Sequence, residues 1–404
     1  MMYVFNIKTL SALLNLKPEK YETVQGIEFL RLHDWFPQLV AEHLLGPVEC
    51  LLTSLKTIPS QCLLTEISIR NTNLGALSDD CFREFCDILS GCKDLEKIHF
   101  CPETLAKLSA ERLEFLMKAL LHCETLKEIS LEGNCIGEWD NDRLKILGRS
   151  LLCFNALKIV RLRGNNLDGL KNFGYQVLFG FLSLSSVEEL YLEGNNIGLS
   201  NINCLTELGR ACAQIKNLKL LNMSDNRLDD SGIPGFQAFF NSLAPSCLQT
   251  LNLEANGLGN ANLPPQCFTV LGKVCGKFKN LQILSLAKNQ FNQLKEACFT
   301  KFKDGIIQSN TLCEIAGIHT FSASHQEKLR KALCEIITRN EEPEKENWPI
   351  DNTLEPKTPT PKRLFFAHGS SPAELGIAPM TSKVADLFLN STNTKRLKIG
   401  ENTT

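Results

Sequence analysis

The sequence contains no long apolar run, almost no net charge and few aromatic residues. Its 404 residues include 43 Lys and Arg against 45 Asp and Glu, which gives a formal charge of −2, and aromatic residues make up 7%. No stretch approaches the ~18 apolar residues that a membrane-spanning helix needs. General nucleic-acid binders carry a clear excess of basic residues. We therefore expect neither membrane insertion nor nucleic-acid binding.

Signatures of catalysis and of cofactor binding are missing as well. The sequence has no Gly-rich phosphate loop, no Gly-x-Ser-x-Gly nucleophile turn and no His-Glu-x-x-His zinc helix. His99 and Cys101 fall on one face of a predicted strand, but no third residue that would orient a Cys/His nucleophile accompanies them. The sequence predicts no enzyme activity, no metal ion and no cofactor.

The 17 cysteines form no Cys-x-x-Cys pair, and their number is odd. Most fall in segments of helical periodicity, where a free thiol acts as a small apolar side chain. A set of free thiols is typical of a reducing compartment, so we expect a cytoplasmic protein.

What the sequence does contain is one unit, Leu-x-x-Leu-x-Leu-x-x-Asn-x-Leu, which recurs every 30 to 33 residues with Ile, Val, Met or Phe in some leucine positions. Copies that keep the asparagine begin at Leu126, Leu157, Val187, Leu218, Leu248 and Leu281, and they place Asn134, Asn165, Asn195, Asn226, Asn256 and Asn289 at motif position nine. Copies that begin at Leu64 and Leu95 have Thr72 and Glu103 there, and a copy begun by Leu312 and Ile315 then fails. Such regular repetition indicates a solenoid of stacked units.

Each unit joins a short stretch of period two to a longer stretch of helical period, which predicts strand, turn and helix. Helical crossovers place successive strands in parallel, and stacked units share one apolar core. Motif positions four and six point into this core, whereas positions three, five and seven form the concave face of the sheet. The asparagine offers a donor and an acceptor to backbone groups that the turn leaves unpaired. We attribute Gly133, Gly164 and Gly194 to unusual dihedral angles in that turn.

This pattern resembles the leucine-rich repeat proteins of the ribonuclease-inhibitor-like class over residues 64 to about 320. The resemblance implies an α/β horseshoe with parallel strands on the concave face and helices on the convex face. The family usually repeats every ~20 to 29 residues, so we expect longer convex helices and loops here. The long helical repeat is similar to that of leucine-rich repeat effectors that intracellular bacteria secrete into host cells, which makes the host cytosol a second expected location.

We divide the chain into three parts. Residues 1–60 are predicted to form an N-terminal cap and degenerate entry repeat, since Ile27, Leu30 and Leu32 match strand positions. Residues 61–340 form the solenoid, closed by a helix that begins after Ser322 or Ser324. Residues 341–404 hold seven of the 16 prolines and lack leucine periodicity, which predicts a disordered tail.

One segment of this tail combines two Thr-Pro sites with a basic and aromatic cluster. Its candidate residues are Thr358, Thr360, Lys362, Arg363, Leu364 and Phe366. Thr360-Pro-Lys-Arg resembles a proline-directed kinase site, and Lys362-Arg-Leu-Phe-Phe resembles the docking motif that cyclins recognise. The alternative interpretation is a chance match in a biased segment.

Acidic, basic and acidic strands alternate on the concave face. The candidate partner-binding residues are Ile159, Arg161, Arg163, Glu189, Tyr191, Glu193, Leu220, Asn222, Asn252 and Glu254. In one interpretation, Glu132, Arg163 and Glu193 form a ladder of ion pairs, since neighbouring strands lie about 4.8 Å apart. In the other, Arg161, Arg163 and Tyr191 anchor a protein partner, because Arg and Tyr are favoured at binding hot spots.

The sequence thus favours a monomeric, noncatalytic module that binds a protein partner on its concave face. Three alternatives stay open. They are an inhibitor that occludes an enzyme active site, a secreted bacterial effector that acts on a host protein, and an enzyme with an unrecognised site in residues 1–60.

Overall fold

The computed structural model describes residues 29–31, 65–69, 74–260 and 264–341. The chain divides into two units, residues 1–342 and 343–404, and every described residue belongs to the first unit. Most of the predicted N-terminal cap, the position of Thr72 and the predicted tail motif at residues 358–366 lie outside the described residues. The three-part division of the chain therefore stays a prediction.

Within the described residues, ten parallel strands form one sheet in which neighbours in sequence are neighbours in space. They are β1 (Phe29–Arg31), β2 (Glu66–Ile69), β3 (Lys97–Phe100), β4 (Glu128–Ser130), β5 (Ile159–Arg161), β6 (Glu189–Tyr191), β7 (Leu220–Asn222), β8 (Thr250–Asn252), β9 (Ile283–Ser285) and β10 (Glu314–Ala316). The register aligns motif position four across the sheet, since Leu190 lies opposite Val160 on one side and Leu221 on the other.

Helices supply the crossovers that parallel strands require. They are α1 (Asp79–Gly91), α2 (Ala110–Leu120), α3 (Asn141–Cys153), α4 (Asn172–Leu182), α5 (Ile202–Gln214), α6 (Gly232–Leu243), α7 (Pro265–Cys275), α8 (Glu296–Ile306) and α9 (Ala323–Glu341). Several begin at a capping side chain that accepts hydrogen bonds from the first turn, as Asp140 does from the backbone N–H groups of Asp142 and Arg143.

The core lies between the sheet and the helices, and motif positions one, four, six and eleven fill it from the sheet side. In the repeat of β6, Val187, Leu190, Leu192 and Ile197 all have 0% exposure. The helices add apolar residues at helical spacing, such as the buried Leu205, Leu208 and Cys212 of α5. Burial of apolar surface along this shared core is the main stabilising contribution.

The turn after each strand places the asparagine between two residues with left-handed dihedral angles. This holds in all six repeats that carry the asparagine. Gly133, Gly164 and Gly194 at motif position eight have φ angles of +67°, +63° and +64°, which confirms the explanation of these glycines. The three following repeats place Asp225, Ala255 and Lys288 in the same region, where a side chain costs about 1 to 2 kcal/mol.

The asparagines form a continuous hydrogen-bond ladder through the core, and all six have 0% exposure. The Nδ2 of Asn195 donates to the carbonyl oxygens of Leu162 at 2.9 Å and Leu192 at 2.8 Å. Its Oδ1 accepts from the backbone N–H of Asn165 at 2.7 Å. The same amide-to-Oδ1 bond links each asparagine from Asn134 to Asn289 with the next. The predicted role of the asparagine is confirmed.

The repeat of β3 departs from the motif by one residue. Glu103, at motif position nine, is exposed and has a φ angle of +65°. Thr104 is buried instead, and its Oγ1 donates to the carbonyl oxygen of Ile69 at 3.4 Å. A hydroxyl one position later thus replaces part of the asparagine's function.

The last repeat departs from the repeat structure further along the chain than its sequence suggests. Leu312 and Ile315 lead into a complete strand, β10, followed by a short 3-10 turn at Ile318–Thr320. Helix α9 then begins as predicted, because the Oγ of Ser322 accepts from the backbone N–H of His325 at 3.4 Å. Its buried residues, which include Leu329 and Ile336, cover the end of the core.

All 15 cysteines among the described residues carry free thiols. Burial raises the pKa of the thiols of Cys212 and Cys275 to about 12, so both are protonated near neutral pH and pack as small apolar groups. Within the same part of the chain, each helix is too short or too polar to span a lipid bilayer.

Candidate protein interface on the concave face

The ten predicted interface residues lie on adjacent strands or in the turns that directly follow them, on the side of the sheet away from the core. Their motif-position-four neighbours are buried, whereas Ile159, Glu189 and Leu220 at position three are partly exposed. Arg163 is exposed, and the other predicted residues are partly exposed. The alternation of side chains along a strand explains this arrangement. The structure therefore brings the predicted residues together on one surface.

Four side chains form a connected network across β4, β5 and β6. The Oε1 of Glu128 lies 2.6 Å from the Nε of Arg161, and the guanidinium carbon of Arg161 lies 4.1 Å from the centre of the Tyr191 ring. The Tyr191 hydroxyl in turn donates to the Oε2 of Glu189 at 2.7 Å. Stacking and ion pairing together fix the positions of Arg161 and Tyr191.

Glu128 is the member of this network that the sequence did not single out as an interface residue. Its side chain is only 7% exposed, against 28% for Arg161. A buried carboxylate requires a partner, and Arg161 provides it. The signal was present in the sequence, because Glu128 and Arg161 occupy motif positions three and five of consecutive repeats.

The predicted ion-pair ladder of Glu132, Arg163 and Glu193 is wrong. Arg163 makes no ion pair with either carboxylate in the described structure. The Oε1 of Glu193 instead accepts from the Nδ2 of Asn222 at 2.6 Å. The strands end at motif position five, as β5 does at Arg161, so position seven lies in the turn, where side chains spread away from the sheet.

A ladder of ion pairs does exist, at motif position two beside the strand starts. Lys127 pairs with Glu96, and Glu188 lies 2.8 Å from the Nζ of Lys158 and 2.5 Å from the Nζ of Lys219. Hydrogen bonds from these two lysines lower the pKa of Glu188. Along the sequence this position reads Glu96, Lys127, Lys158, Glu188 and Lys219. Each glutamate therefore has a lysine in a neighbouring repeat, and these pairs were predictable from the repeat spacing.

The carboxylate of Glu193 is electrostatically unfavourable where it lies. Burial raises its pKa, and the nearby Glu132 raises it further, although a backbone hydrogen bond, Arg163 and Arg161 act in the opposite direction. Its Oε2 is shielded from solvent and has no hydrogen-bond donor. This side chain therefore has an unused capacity to accept a hydrogen bond.

His99 and Cys101 do not form a nucleophile pair in the structure. The Nε2 of His99 faces the Oε1 of Glu66 at 3.5 Å, and the Sγ of Cys101 faces the Oγ of Ser68 at 3.8 Å. Burial lowers the pKa of His99 despite the opposing effects of Glu128 and Glu66. Nor does the described part of the chain contain a group of three or more His, Cys, Asp or Glu side chains that could hold a metal ion.

A family model described as Leucine Rich repeat matches residues 214–233, which run from the end of α5 through β7 to the start of α6. The strand, turn and helix found there recur in the neighbouring repeats. The described residues form a leucine-rich repeat fold. No curated protein sequence matches the chain.

Several solved structures resemble this leucine-rich repeat protein. The leucine-rich repeat-containing protein LegL7 from Legionella pneumophila is 16% identical, with a TM-score of 0.49, 73% of this chain covered and 95% of that one. The C-terminal domain of tropomodulin from Caenorhabditis elegans is 15% identical, with a TM-score of 0.31 and coverages of 41% and 94%. A chain of the yeast Rad7 and Elc1 complex is 15% identical, with a TM-score of 0.31 and coverages of 70% and 82%.

A second surface carries exposed apolar side chains that were not predicted from the sequence. Phe173, Leu199 and Ile202 are 46%, 48% and 50% exposed, and the first two line a groove of about 490 Å³ between consecutive repeats. Phe173 and Ile202 lie in the first turns of α4 and α5, and Leu199 ends the 3-10 turn before α5. All three are outside the motif positions. The repeat pattern therefore carried no signal for them.

Proposed function

We propose that this leucine-rich repeat protein is a noncatalytic interaction module that binds a protein partner through the concave face of β5 to β8. The observation that carries the proposal is the network of Glu128, Arg161, Tyr191 and Glu189. It holds one Arg and one Tyr, two residue types enriched at binding hot spots, in fixed positions on an open sheet face.

Preorganisation supports the proposal energetically. Ordering a flexible side chain on binding costs about 0.5 to 1.5 kcal/mol. Arg161 is held by the carboxylate of Glu128 and by the ring of Tyr191 before any partner arrives. A partner that contacts these two side chains therefore meets a surface that has already lost much of its conformational freedom.

Apolar side chains beside the network support it as well. Ile159 and Leu220 flank Glu189 at motif position three and are partly exposed. Covering apolar surface that faces water is favourable by about 25 cal/mol per Å². Inhibition of an enzyme and action as a secreted effector would both use this contact, so the partner's identity distinguishes them.

The test measures the affinity of a partner captured with the full chain. We expect Tyr191→Ala to weaken binding by about 2 kcal/mol, roughly thirtyfold in isothermal titration calorimetry. Phe115→Ala is the matched control, because it removes a 43% exposed aromatic ring on helix α2. Circular dichroism should show both variants folded. Equal affinities for the two variants would exclude the concave face as the binding surface.

A further inference from the structure

The concave face from β4 to β8 carries more negative than positive charge. Motif positions three, five and seven hold the five carboxylates of Glu128, Glu132, Glu189, Glu193 and Glu254 and only the two guanidinium groups of Arg161 and Arg163. Neighbouring strands lie about 4.8 Å apart, so these charges share a surface only a few strands wide. An excess of one sign on such a surface favours a partner of the opposite sign.

The carboxylates differ in whether this chain supplies them with a cation. Arg161 pairs with Glu128, and the Nζ of Lys288 lies 2.7 Å from the Oε1 of Glu254. Glu189 receives only the hydroxyl of Tyr191. No side-chain cation pairs with Glu193 in the described structure; the amide of Asn222 donates to its Oε1, and its Oε2 has no donor.

Glu132 completes a set of three carboxylates without an ion pair in the described structure, together with Glu189 and Glu193. Glu132 and Glu193 lie two strands apart, roughly 10 Å between backbones. They are close enough that Glu132 raises the pKa of Glu193. A cation placed at this end of the strands would relieve that repulsion and supply the missing donor.

Apolar residues separate the acidic positions. Motif position three reads Glu128, Ile159, Glu189 and Leu220 across β4 to β7, so charge and apolar surface alternate from strand to strand. A purely basic polymer would satisfy the carboxylates but leave Ile159 and Leu220 facing water. The matching surface alternates basic and apolar side chains.

We propose that the partner bound by the concave face presents a basic segment in which Lys or Arg alternates with apolar side chains. Its cations pair with Glu132, Glu189 and Glu193, and its apolar side chains cover Ile159 and Leu220. This inference rests on the proposed function, and it adds the chemistry of the partner.

The positive charge of Arg163 can be used to test whether the partner is basic or acidic. Its side chain is exposed and makes no ion pair in the described structure, so we expect the fold to tolerate the loss of its charge. A basic partner is repelled by Arg163, whereas an acidic partner is attracted by it. Arg163→Gln therefore strengthens binding of a basic partner and weakens binding of an acidic one.

The experiment titrates the full chain into a fluorescein-labelled peptide of alternating lysine and leucine, with a peptide of alternating glutamate and leucine as the opposite probe. Fluorescence anisotropy reports the affinity. We expect Glu132→Gln and Glu193→Gln each to weaken binding of the lysine peptide roughly threefold to fivefold, the upper range for exposed charge pairs. Arg163→Gln should strengthen it about twofold. Glu124→Gln, which removes the same charge at an exposed site off the concave face, should change it less than 1.5-fold.

Four results of the peptide titrations would overturn the inference. They are tighter binding of the glutamate peptide, weaker binding of the lysine peptide by Arg163→Gln, equal effects of Glu124→Gln and Glu193→Gln, and no binding of either peptide. A concentration-dependent doubling of mass in sedimentation that Tyr191→Ala abolishes would assign the face to a second copy of the chain and would also overturn it. If a captured partner depends on Tyr191 but binds more weakly to Arg163→Gln, the proposed function holds and only the partner's chemistry is wrong.

Discussion

Replacing Asn195 by leucine tests the physical basis of the repeat most directly. The two side chains have similar volume, and leucine is the residue that fills most neighbouring core positions. Asn195 has 0% exposure, and its side chain makes hydrogen bonds to the preceding repeat and within its own repeat. We expect Asn195→Leu to destabilise the protein although it places an apolar residue in an apolar core.

The hydrogen bonds around Asn195 set the size of the effect. The carbonyl oxygens of Leu162 and Leu192 keep a second donor, since Asn165 donates to the first at 2.8 Å and Asn226 to the second at 2.8 Å. The backbone N–H of Asn165 loses its acceptor. An unpaired buried donor costs about 1 to 3 kcal/mol, and each lost bond to a still-paired acceptor costs about 0.5 to 1.5 kcal/mol. The expected loss is thus about 2 to 6 kcal/mol in the free energy of unfolding.

Urea unfolding followed by circular dichroism measures this loss, and amide hydrogen exchange localises it. The Asn165 N–H should exchange faster in the variant than in the wild type. Asn241→Leu makes the same change at an exposed position of α6 and should alter stability by no more than about 0.5 kcal/mol. If both variants unfold at the wild-type urea concentration, the asparagine ladder does not stabilise the solenoid as argued.

Four further predictions concern other parts of the chain. Gly137→Ala should destabilise by more than about 2 kcal/mol in urea unfolding, because its new Cβ would lie 1.8 Å from a backbone oxygen of the next repeat. Gly180→Ala, with no atom within 4 Å, should stabilise helix α4 by about 0.4 to 1 kcal/mol. Removing residues 343–404 should leave the melting temperature unchanged, because their sequence carries no repeat positions; a clear drop in calorimetry would contradict this. Glu188 and Glu193 should respond oppositely to pH in thermal melts. The lowered pKa of Glu188 means that its contribution is present above its unfolded pKa and is lost as pH falls through its folded value. The raised pKa of Glu193 means that its contribution is present below its unfolded pKa and is lost as pH rises through its folded value. Glu193→Gln should therefore raise the melting temperature at pH 7 and Glu188→Gln should lower it.

The repeat made the fold predictable from sequence, because one apolar pattern and one asparagine recur at nearly constant spacing. The same spacing located the concave face, since strand alternation decides which side each residue faces. It did not decide between Arg161 and Arg163 as the ion-pairing residue. Arg161 lies at the end of the strand and Arg163 lies in the turn after it. The repeat motif does not show at which residue the strand ends.

Other features were beyond the repeat pattern for separate reasons. Thr104 replaces the asparagine one residue after motif position nine. A motif with constant spacing does not predict this shift. The exposure of Phe173 and Leu199 depends on how consecutive turns pack, and turn residues fall outside the motif. The ion pairs of Glu188 with Lys158 and Lys219 lie at motif position two. The sequence contains these residues at the right spacing, but the ion pairs were predicted at position seven.

Each repeat that carries the asparagine makes the same hydrogen bond to its neighbour. Asn165 donates its backbone N–H to the Oδ1 of Asn195, and the Oδ1 of Asn226 accepts from the backbone N–H of Asn195, so each repeat offers one donor to the next repeat and one acceptor to the previous repeat. In a chain that lacked residues 187–217, we expect the Oδ1 of Asn226 to accept from the amide of Asn165 and β5 to pair with β7. The molecule can therefore gain or lose length in steps of one repeat, and each step adds or removes one row of the surface on which a partner lies.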